Sequence, residues 1–580
     1  MALVVPLLPT ALFPRAVAHQ RVPSPHRAAP PVACAELPLS DWRAAFHTQP
    51  EEFLSAAVRV RGAAPLELRA GVFYKNGPAR FARGGTEYAH WLDGDGYVTS
   101  LRLLADGTAL WSGRYVATEA YAAEAAADEV LLRTTFGTAL PGGVARNCLR
   151  LRLKSPANTA VVAMPGSGAL LALWEAGPPY ELDAESLACR GPSDLGGRLA
   201  LSPTHGALPA TTQLPWLDAL LERAGWLCDA CAAHPRADPA GATVFWSWRQ
   251  RLLGRPAIEV ALHQLPHRPA PSGEACTRRA VLRDVPFAPH DMALGGRYAA
   301  FITCCTSVAI LPFIAGLKGP AQCTTFDGAA LAAGEGSKLH LIPRREADGS
   351  GAAVFNIGEP FHAVHHANAW ESDLGHPLVH VVSTCWPPAA VRRMGRSGQD
   401  LLGSWAELRG GNFEGVPTTN LVWFTLNVSS GVVEHRILAN GAQLDHPKVH
   451  PNWETRECRF VWATMGRRDD GGSDDATPSA PQSFACVDLH SNTVVDSWYA
   501  GRRRLVDEAT IVPRLTYDDN RHCDGERDAW LIAPIFDGST RKSTYVVLDA
   551  ANLAAGPVCE VELPTFIPWG LHGSWVLDPK

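Results

Sequence analysis

Short apolar runs separated by turn residues recur along most of this 580-residue chain, and they constrain its fold more than any other feature. The runs are rich in β-branched and aromatic residues and are bounded by Gly, Pro, Asp or Asn, as in TVFWSW (243–248), PLVHVVSTCW (377–386) and NLVWFTLNV (420–428). Runs of this kind predict a many-stranded antiparallel, all-β fold. The sequence has no strict repeat, so the pattern alone leaves a sandwich, a barrel and a propeller open.

Two stretches carry amphipathic helical patterns instead. One is DWRAAFHTQPEEFLSAAV (41–58), which Pro50 interrupts, and the other is EAYAAEAAADEVL (119–131). Both patterns predict helices, with the first one broken at its proline.

Composition and charge exclude some classes of function. A chain of this length would ordinarily form two or three domains, although a closed β architecture can grow within one body. The net charge of −6 provides no basic field for nucleic acid, so no nucleic-acid partner is expected. The 14 cysteines show no framework spacing, which favours a reducing compartment. Cys228 and Cys231 form a CxxC pair that could be half a zinc site, a redox pair or incidental thiols; without a second pair, incidental thiols are favoured.

The stretch FHAVHHANAWESD (361–373) holds three histidines among apolar residues. Neutral imidazole is a good ligand for Fe, Zn, Cu or Ni. On a strand, however, His365 and His366 point to opposite faces, so at most one or two of the three can reach the same ion. The alternative is a half-buried strand whose histidines bond backbone carbonyls. A metal site would therefore need ligands from distant parts of the sequence.

Three further histidines lie in distinctive contexts: His234 in AAHPRADPAGATVFWSW, His290 in PFAPHDMALGGRYAAFI and His572 in TFIPWGLHGSWV. Together with FHAVHHANAWESD, these segments resemble, in order, the four histidine motifs of the carotenoid cleavage oxygenases. Other segments that resemble the family follow in the expected order, namely YKNGPARF (74–81), HWLDGDGYV (90–98), RYVATEAYAAE (114–124), ANTAVV (157–162) and ALLALWEAGPPYELD (169–183). The resemblance spans about residue 42 to the end, and the ordered set is far more specific than any one motif.

The resemblance implies a seven-bladed β-propeller with a helical or loop cap over a central iron site, formed by one domain over residues 36–580. It implies four Fe²⁺ ligands, His234, His290, His365 and His572. It also implies three carboxylates that orient these ligands, and the matching positions are Glu175 in LWEAG, Asp445 in LDHPKVHP and Glu508 in DEATIVP. Asp445 departs from the family, which usually has Glu there. The shorter side chain would require a shifted strand or a bridging water, and a solvated surface carboxylate is its alternative. His90, His205, His340, His362 and His366 are interpreted as structural, with His362 and His366 as candidates to line the cavity.

The function that this resemblance implies is cleavage of a conjugated C=C bond in a carotenoid or apocarotenoid, with O2 and Fe²⁺, to two carbonyl products. Related members use the same iron site on stilbenes or for isomerisation, and the tunnel residues that decide cannot be identified from one sequence. From a different class, the chain could be a propeller that binds carotenoid without catalysis. The complete set of ligands argues against that alternative.

Residues 1–35 differ from the rest of the chain. Arg15, Arg21 and Arg27 are their only charged side chains, and alanine, proline and small residues dominate. An acid-free, Arg-bearing leader predicts an organelle transit peptide, here for a plastid, with the mature protein in the stroma or at the thylakoid or plastoglobule surface. A disordered N-terminus and a secretory signal are the alternatives.

The longest apolar run is TCCTSVAILPFIAGL (303–317). It is shorter than the roughly 20 residues that a spanning helix needs, and it contains Pro312. Two interpretations remain: a buried strand leading into a packed loop, or an exposed apolar lip that touches a membrane, as the corresponding region is thought to do in the family.

Overall fold

The computed structural model describes residues 37–577, except for 165–166, 203–206, 268–275, 346–350, 374, 376, 414, 469–477 and 515–524. The predicted transit peptide lies outside the described residues. The described part is mostly β, with a few short helices. The helices are α1 (Leu39–Ala44), α2 (Glu119–Ala127), α3 (Val144–Asn147), α4 (Pro215–Arg223), α5 (Leu311–Ile314), α6 (Gly328–Ala332) and α7 (Pro388–Ser397).

The strands of the first half are β1 (Phe53–Gly62), β2 (Gly71–Lys75), β3 (Pro78–Arg80), β4 (Ala82–Arg83), β5 (Thr86–Glu87), β6 (Asp95–Leu103), β7 (Ala109–Tyr115), β8 (Ala160–Ala163), β9 (Ala169–Leu173), β10 (Tyr180–Asp183), β11 (Cys189–Pro192), β12 (Leu208–Thr211), β13 (Leu227–Cys228), β14 (Ala230–Cys231), β15 (Arg236–Asp238), β16 (Ala242–Arg251), β17 (Ala257–Pro266), β18 (Cys276–Arg283), β19 (Ala293–Leu294) and β20 (Tyr298–Thr303). Those of the second half are β21 (Thr306–Val308), β22 (Thr324–Phe326), β23 (Lys338–Pro343), β24 (Ala353–Asn356), β25 (His362–Asp373), β26 (Pro377–Trp386), β27 (Asn420–Asn427), β28 (Val433–Leu438), β29 (Ala442–Lys448), β30 (Phe460–Arg468), β31 (Ser483–Asp488), β32 (Thr493–Tyr499), β33 (Arg504–Val506), β34 (Thr510–Pro513), β35 (Ala529–Asp537), β36 (Lys542–Asp549), β37 (Pro557–Glu562) and β38 (Gly573–Leu577).

Most sheets are formed by strands that follow one another in the chain. Four-stranded sheets are formed by β8 to β11, by β25 to β28, by β29 to β32, and by β19, β20, β23 and β24. A seven-stranded sheet centres on β16, β17 and β18. The largest sheet has 11 strands and joins the two ends of the chain, because β1 pairs with β7 on one side and with β37 on the other, and β2 pairs with β38.

The two predicted helices have different outcomes. The second is confirmed, since α2 begins after the cap Thr118, whose hydroxyl accepts a hydrogen bond from the backbone N–H of Tyr121. The first is wrong beyond Ala44, because residues 53–62 form β1 rather than a helix. Pairing with two neighbouring strands satisfies the backbone of β1 on both sides, and this tertiary context overrides the local helical pattern.

The hydrophobic core lies between neighbouring sheets. One cluster joins Trp370, Val382 and Leu421 of the β25–β28 sheet to Leu444 and Val461 of the next sheet, and all five are buried. Burial of a large apolar side chain stabilises the fold by roughly 1.5–3 kcal/mol. This packing holds the two neighbouring sheets together through their apolar side chains.

Candidate metal centre

The four histidines of the motifs come from four different sheets. His234 lies between β14 and β15, His290 lies in the loop before β19, His365 is on β25, and His572 directly precedes β38. Their ligand nitrogens all lie within 4.8 Å of one another. Residues separated by up to 338 positions in the chain therefore meet at one point, which the spacing in the sequence does not reveal.

The imidazoles converge through their Nε2 atoms. The Nε2 atoms of His234 and His290 are 3.0 Å apart, and those of His290 and His365 are 3.3 Å apart. The ring of His572 completes the group, with its centroid 4.5 Å from that of His234 and 5.1 Å from that of His365.

Three carboxylates hold three of these rings from behind. Glu175 contacts Nδ1 of His290, Asp445 Oδ1 lies 2.7 Å from Nδ1 of His365, and Glu508 Oε1 lies 2.8 Å from Nδ1 of His572. Each carboxylate accepts the Nδ1–H and leaves the Nε2 lone pair pointing to the common centre. Among the described residues His234 has no such hydrogen-bonded carboxylate, and its Nδ1 lies 4.0 Å from Asp291 Oδ1.

The arrangement fits a metal cation. If Nδ1 carries the proton in His290, His365 and His572, three Nε2 lone pairs face one another, and the fourth ring can donate at most one hydrogen bond. Buried acceptors crowded together without donors are destabilising, whereas a divalent ion satisfies all four at once. Four neutral imidazoles leave ferrous iron its full charge and room for further ligands. The predicted Fe²⁺ therefore matches the donor set.

Burial keeps two of the four rings, His234 and His572, in the neutral form. Burial and the neighbouring imidazoles hold the pKa of His234 well below its ordinary value, and burial lowers the pKa of His572 to about 3. Burial also disfavours a charged His290, but Glu175 outweighs it and the pKa of His290 is raised. Burial works against the charge of Glu508 as well, yet Lys448, His572 and Lys75 hold its pKa well below the usual range. The carboxylate therefore stays ionised and keeps accepting from His572.

The loop that carries His572 is anchored by the YKNG segment. Lys75 is 1% exposed, and its Nζ lies 2.8 Å from Asp507 Oδ1 and donates to the carbonyl of Leu571 at 2.7 Å. The backbone N–H of Asn76 donates to the carbonyl of His572. Gly570 is required in this loop, because an added Cβ would lie 2.8 Å from Asp507 Oδ2 and 3.2 Å from the carbonyl oxygen of Asn76. Lys75 therefore fixes where His572 points.

Asp445 reaches His365 directly, without a bridging water. The pairing of β29 with β30 shifts register between Asp445 and Lys448, and His446 adopts a left-handed φ of 51°. This bulge moves the strand enough for the shorter side chain to make the contact that a Glu would otherwise make. Asp445 Oδ1 also accepts from the hydroxyl of Thr384 at 3.0 Å, so the carboxylate is held from two sides.

The Asp445→Asn variant tests this contact. Asparagine has nearly the same shape but carries no charge, so it leaves the Nδ1–H of His365 without its strong acceptor. We expect iron affinity to fall about 10- to 100-fold. Competitive iron titration against a chelator measures this affinity. Asp488→Asn is the control, because Asp488 lies at the end of β31 and pairs with Arg459 rather than with a histidine of the metal centre. Equal iron affinity in the wild type and Asp445→Asn would contradict the orienting role.

His446 is a residue of the site that the sequence motifs did not indicate. Its ring centroid lies 5.1 Å from that of His365 and 5.6 Å from that of His572, and it faces the cavity. With His365 and Asp445 it forms a second group of three potential ligands in the described part of the chain. Only its position next to Asp445 could have drawn attention to it.

A cavity of about 710 Å³ opens onto the centre, and three of the four histidines, His290, His365 and His572, line it. Its walls are mainly aromatic and aliphatic, including Trp91, Phe136, Trp174, Phe287, Phe313 and Trp386. Glu175 and Asp445 are the only charged side chains among the described residues that line it, and both face histidines. Such a space suits a long apolar molecule. Of the two histidines predicted as candidate lining residues, His362 lines the cavity and His366 does not, since the Nδ1 of His366 bonds the hydroxyl of Ser383.

The CxxC cysteines do not take part in this centre. Cys228 and Cys231 are both buried, and their thiols donate weakly to the carbonyls of Ala207 and Ala232. Neither belongs to a group of potential metal ligands among the residues that the structure describes. The interpretation as incidental thiols is the one that these contacts favour.

Comparison with known proteins decides the family. The profile of the family described as retinal pigment epithelial membrane protein matches residues 46–577. The chain belongs to this family. The family is the one that the histidine motifs resemble, so the recognition from sequence is confirmed.

Individual members cover nearly the whole chain. An apocarotenoid-15,15'-oxygenase from Synechocystis is 28% identical over 543 residues, which cover 92% of this chain and 96% of that protein. Resveratrol cleavage oxygenase 1 from Aspergillus fumigatus is 26% identical over 539 residues, which cover 90% of this chain and 92% of that protein. The crystal structure of the cobalt-substituted Synechocystis oxygenase superposes with a TM-score of 0.75 at 27% identity, covering 94% of this chain and 100% of that one.

Proposed function

We propose that this protein is a non-haem iron dioxygenase that cleaves a conjugated C=C bond of a carotenoid or apocarotenoid with O2 to give two carbonyl products. The observation that carries the proposal is the convergence of four imidazoles beside a mainly apolar cavity, which three of them line. The relatedness to an apocarotenoid oxygenase over 92% of the chain supports the substrate class.

The four histidines, His234, His290, His365 and His572, would hold the iron, and Glu175, Asp445 and Glu508 would orient three of them. When bound, ferrous iron supplies the redox chemistry that activates O2 for scission of the double bond. The protein itself binds and positions the substrate. The apolar walls bind the polyene by burial of its surface, exclude water from the reacting bond and hold that bond beside the metal.

Stilbene cleavage is the second candidate, because one relative is a resveratrol cleavage oxygenase. Resveratrol carries phenolic hydroxyls, which need polar partners when they are buried. Among the described residues, the cavity walls contain no lysine or arginine, and both of their carboxylates already accept from histidines. The mainly apolar lining suits the chain of a polyene, but neutral polar side chains such as Gln250, Gln443 and Thr303 also line the cavity, so product analysis decides between the two substrates.

Product analysis tests the proposal. The protein is reconstituted with iron under anaerobic conditions and is then given O2 with β-carotene, a C30 apocarotenal or resveratrol. Paired aldehydes or ketones from a carotenoid, formed only with both iron and O2, are expected and would name the bond. Products from resveratrol alone would select the stilbene alternative. A protein that binds no iron would instead be a carotenoid-binding protein without catalysis.

We also propose that the sheets are the blades of one seven-bladed propeller formed by residues 36–580. Successive four-stranded antiparallel sheets support this arrangement. The pairing of β1 with both β7 and β37 supports it too, because joining the first and last sheets is a way to close a ring of blades. The mostly β fold of the related oxygenase structure is consistent with it.

An apolar lip around α5 is proposed to touch a membrane. Leu311 is 74% exposed and Leu317 is 64% exposed, and the exposed Leu149 adjoins the same segment, since its backbone N–H donates to the carbonyl of Ile314. Ile310 and Ile314 line the cavity, so the lip lies at its mouth. A lipophilic substrate could then pass from a bilayer into the cavity without crossing water. Among the described residues, no helix is long and apolar enough to cross a membrane.

Liposome flotation tests the lip. We expect the wild type to float with phosphatidylcholine vesicles and the double variant Ile310→Asp, Leu311→Asp to remain in the dense fraction, because two charges in the lip oppose its insertion. Val432→Asp is the control, since Val432 is 55% exposed on a turn between β27 and β28, away from the lip. Equal flotation of the wild type and the double variant would remove the membrane proposal.

Residues 1–35 are proposed to be a plastid transit peptide, on the basis of their acid-free, Arg-bearing composition. The mature protein would then work in the stroma or at the thylakoid or plastoglobule surface. Sequencing the N-terminus of the protein isolated from its native source tests this. A new N-terminus near Cys34 is expected, and an intact Met1 would contradict the proposal.

A further inference from the structure

His362 presents its imidazole to the cavity and has no hydrogen-bond partner among the residues that the structure describes. Its ring lies against Trp386, with centroids 4.7 Å apart, and meets Phe326 edge-on at 5.5 Å. No described residue makes a hydrogen bond with either of its ring nitrogens, although its exposed surface faces the cavity rather than bulk solvent. An aromatic pocket thus holds a polar group whose hydrogen-bonding capacity is open to whatever fills the cavity.

The other buried histidines behave differently. Outside the metal centre, each buried histidine of the described chain forms a hydrogen bond to a protein atom through at least one ring nitrogen: His90 with Leu402 and Leu92, His263 with Ser247 and Thr277, His340 with Thr303, His366 with Ser383, His380 with Ser372 and Thr425, and His450 with Asn452. Pairing of this kind is the norm for buried polar groups. His362 is the exception, and it is the one of this group that lines the cavity together with the metal-centre histidines.

A β-bulge aims His362 into the cavity. Residues three apart on a regular strand point to opposite faces, so His362 and His365 would ordinarily diverge. The pairing of β25 with β26 shifts register between Ala363 and His365, which inserts Val364 as an extra residue. His362 and His365 consequently both line the cavity, with their Cα atoms roughly 10 Å apart along the strand.

We propose that His362 recognises an oxygen atom at one end of the polyene, as a carbonyl or a hydroxyl group. The inference rests on the proposed function, since it concerns the substrate that extends past the iron. His362 donates a hydrogen bond from its ring N–H to this oxygen, and Trp386 and Phe326 enclose the adjoining carbon chain. The preferred substrates are then apocarotenals or hydroxylated carotenoids rather than unsubstituted hydrocarbons.

The neutral form of the ring suits this role. Burial lowers the pKa of His362 to about 3, so at physiological pH the side chain offers one N–H donor and one acceptor. A carbonyl oxygen uses the donor, and a hydroxyl group can use either nitrogen. A hydrocarbon end leaves the ring unsatisfied in an apolar space, and this disfavours its binding.

The test compares three polyenes in the full-length, iron-loaded protein: β-carotene, its 3-hydroxy derivative and a C30 apocarotenal. The variants are His362→Phe, which keeps an aromatic ring, and His362→Gln, which keeps an N–H donor. Binding is followed anaerobically by quenching of tryptophan fluorescence, and cleavage by KM and kcat. His362→Phe is expected to raise Kd and KM about tenfold for the oxygenated polyenes and to lower them for β-carotene, whose end then no longer meets an unsatisfied ring nitrogen. His362→Gln is expected to restore most of the lost affinity.

The outcomes separate this inference from the function on which it rests. A loss confined to the apocarotenal or to the hydroxylated polyene supports it and identifies the group recognised. An equal loss for β-carotene would show a packing role, and no loss for any polyene would show no role; either overturns the inference. Absence of cleavage by the wild type with every polyene would refute the proposed function, while the binding titration still decides the role of His362.

Discussion

His572→Ala is expected to lose bound iron and cleavage activity together. The imidazole of His572 is one of four that converge on the centre, and Glu508 and the anchored loop hold it in place. Loss of a directly bound ligand should weaken iron binding by more than the roughly 10- to 100-fold that follows from loss of an outer partner. Iron per chain is measured by elemental analysis after anaerobic reconstitution, and cleavage is assayed on the same samples. His290→Ala is expected to behave alike.

His380→Ala is the matched control, because His380 is buried in the β25–β28 sheet and bonds Ser372 and Thr425. It should retain iron even if its stability falls. In the iron-free state the two effects of His572→Ala on stability oppose each other, since it relieves the crowding of unpaired nitrogen lone pairs but removes the N–H that Glu508 accepts, so iron content rather than stability is the deciding measurement. A His572→Ala protein with a full complement of iron would refute the assignment of this ligand.

Lys75→Met is expected to cost about 3–5 kcal/mol in the free energy of unfolding and to weaken iron binding. The substitution leaves the carboxylate of Asp507 buried without its cation and removes the hydrogen bond to the carbonyl of Leu571. Since Leu571 directly precedes His572, disorder here displaces a metal ligand. Urea unfolding of the iron-free protein measures the first effect, and iron titration measures the second.

Arg61→Met is the control for removal of a basic side chain from an ion pair. Arg61 pairs with Glu562 on the same 11-stranded sheet, but the two side chains are 52% and 35% exposed. An exposed pair contributes less than about 1 kcal/mol. If Lys75→Met and Arg61→Met destabilise the protein equally, the anchoring role of Lys75 is wrong.

The identity of the metal centre was accessible from sequence because each histidine lies in a short, distinctive motif. The β class was accessible because turn residues punctuate the apolar runs. The family is confirmed, and the structure brings His234, His290, His365 and His572 together as the resemblance implied. Their role as iron ligands stays a proposal, as does the propeller.

Other features depend on long-range pairing that no local pattern contains. The helix predicted over residues 53–58 does not form, because two strands from distant parts of the chain form hydrogen bonds with the backbone of β1. The bulge at Asp445 resolves the apparent misfit of its short side chain, and the bulge beside His365 decides that His362 faces the cavity. Bulges depend on how two strands pair, so the sequence of one strand does not disclose them. His446 was missed for the same reason.

Labelling with ¹⁸O2 is the most direct test of the central claim, that this chain is an iron-dependent dioxygenase for a carotenoid or apocarotenoid. The iron-loaded protein cleaves the C30 apocarotenal under ¹⁸O2, and the carbonyl products are reduced at once to alcohols so that their oxygen does not exchange with water. Mass spectrometry should find one labelled oxygen at the cleaved end of each of the two fragments, and none in a sample without iron. Fragments that carry only unlabelled oxygen, or that form equally without iron, would contradict the claim.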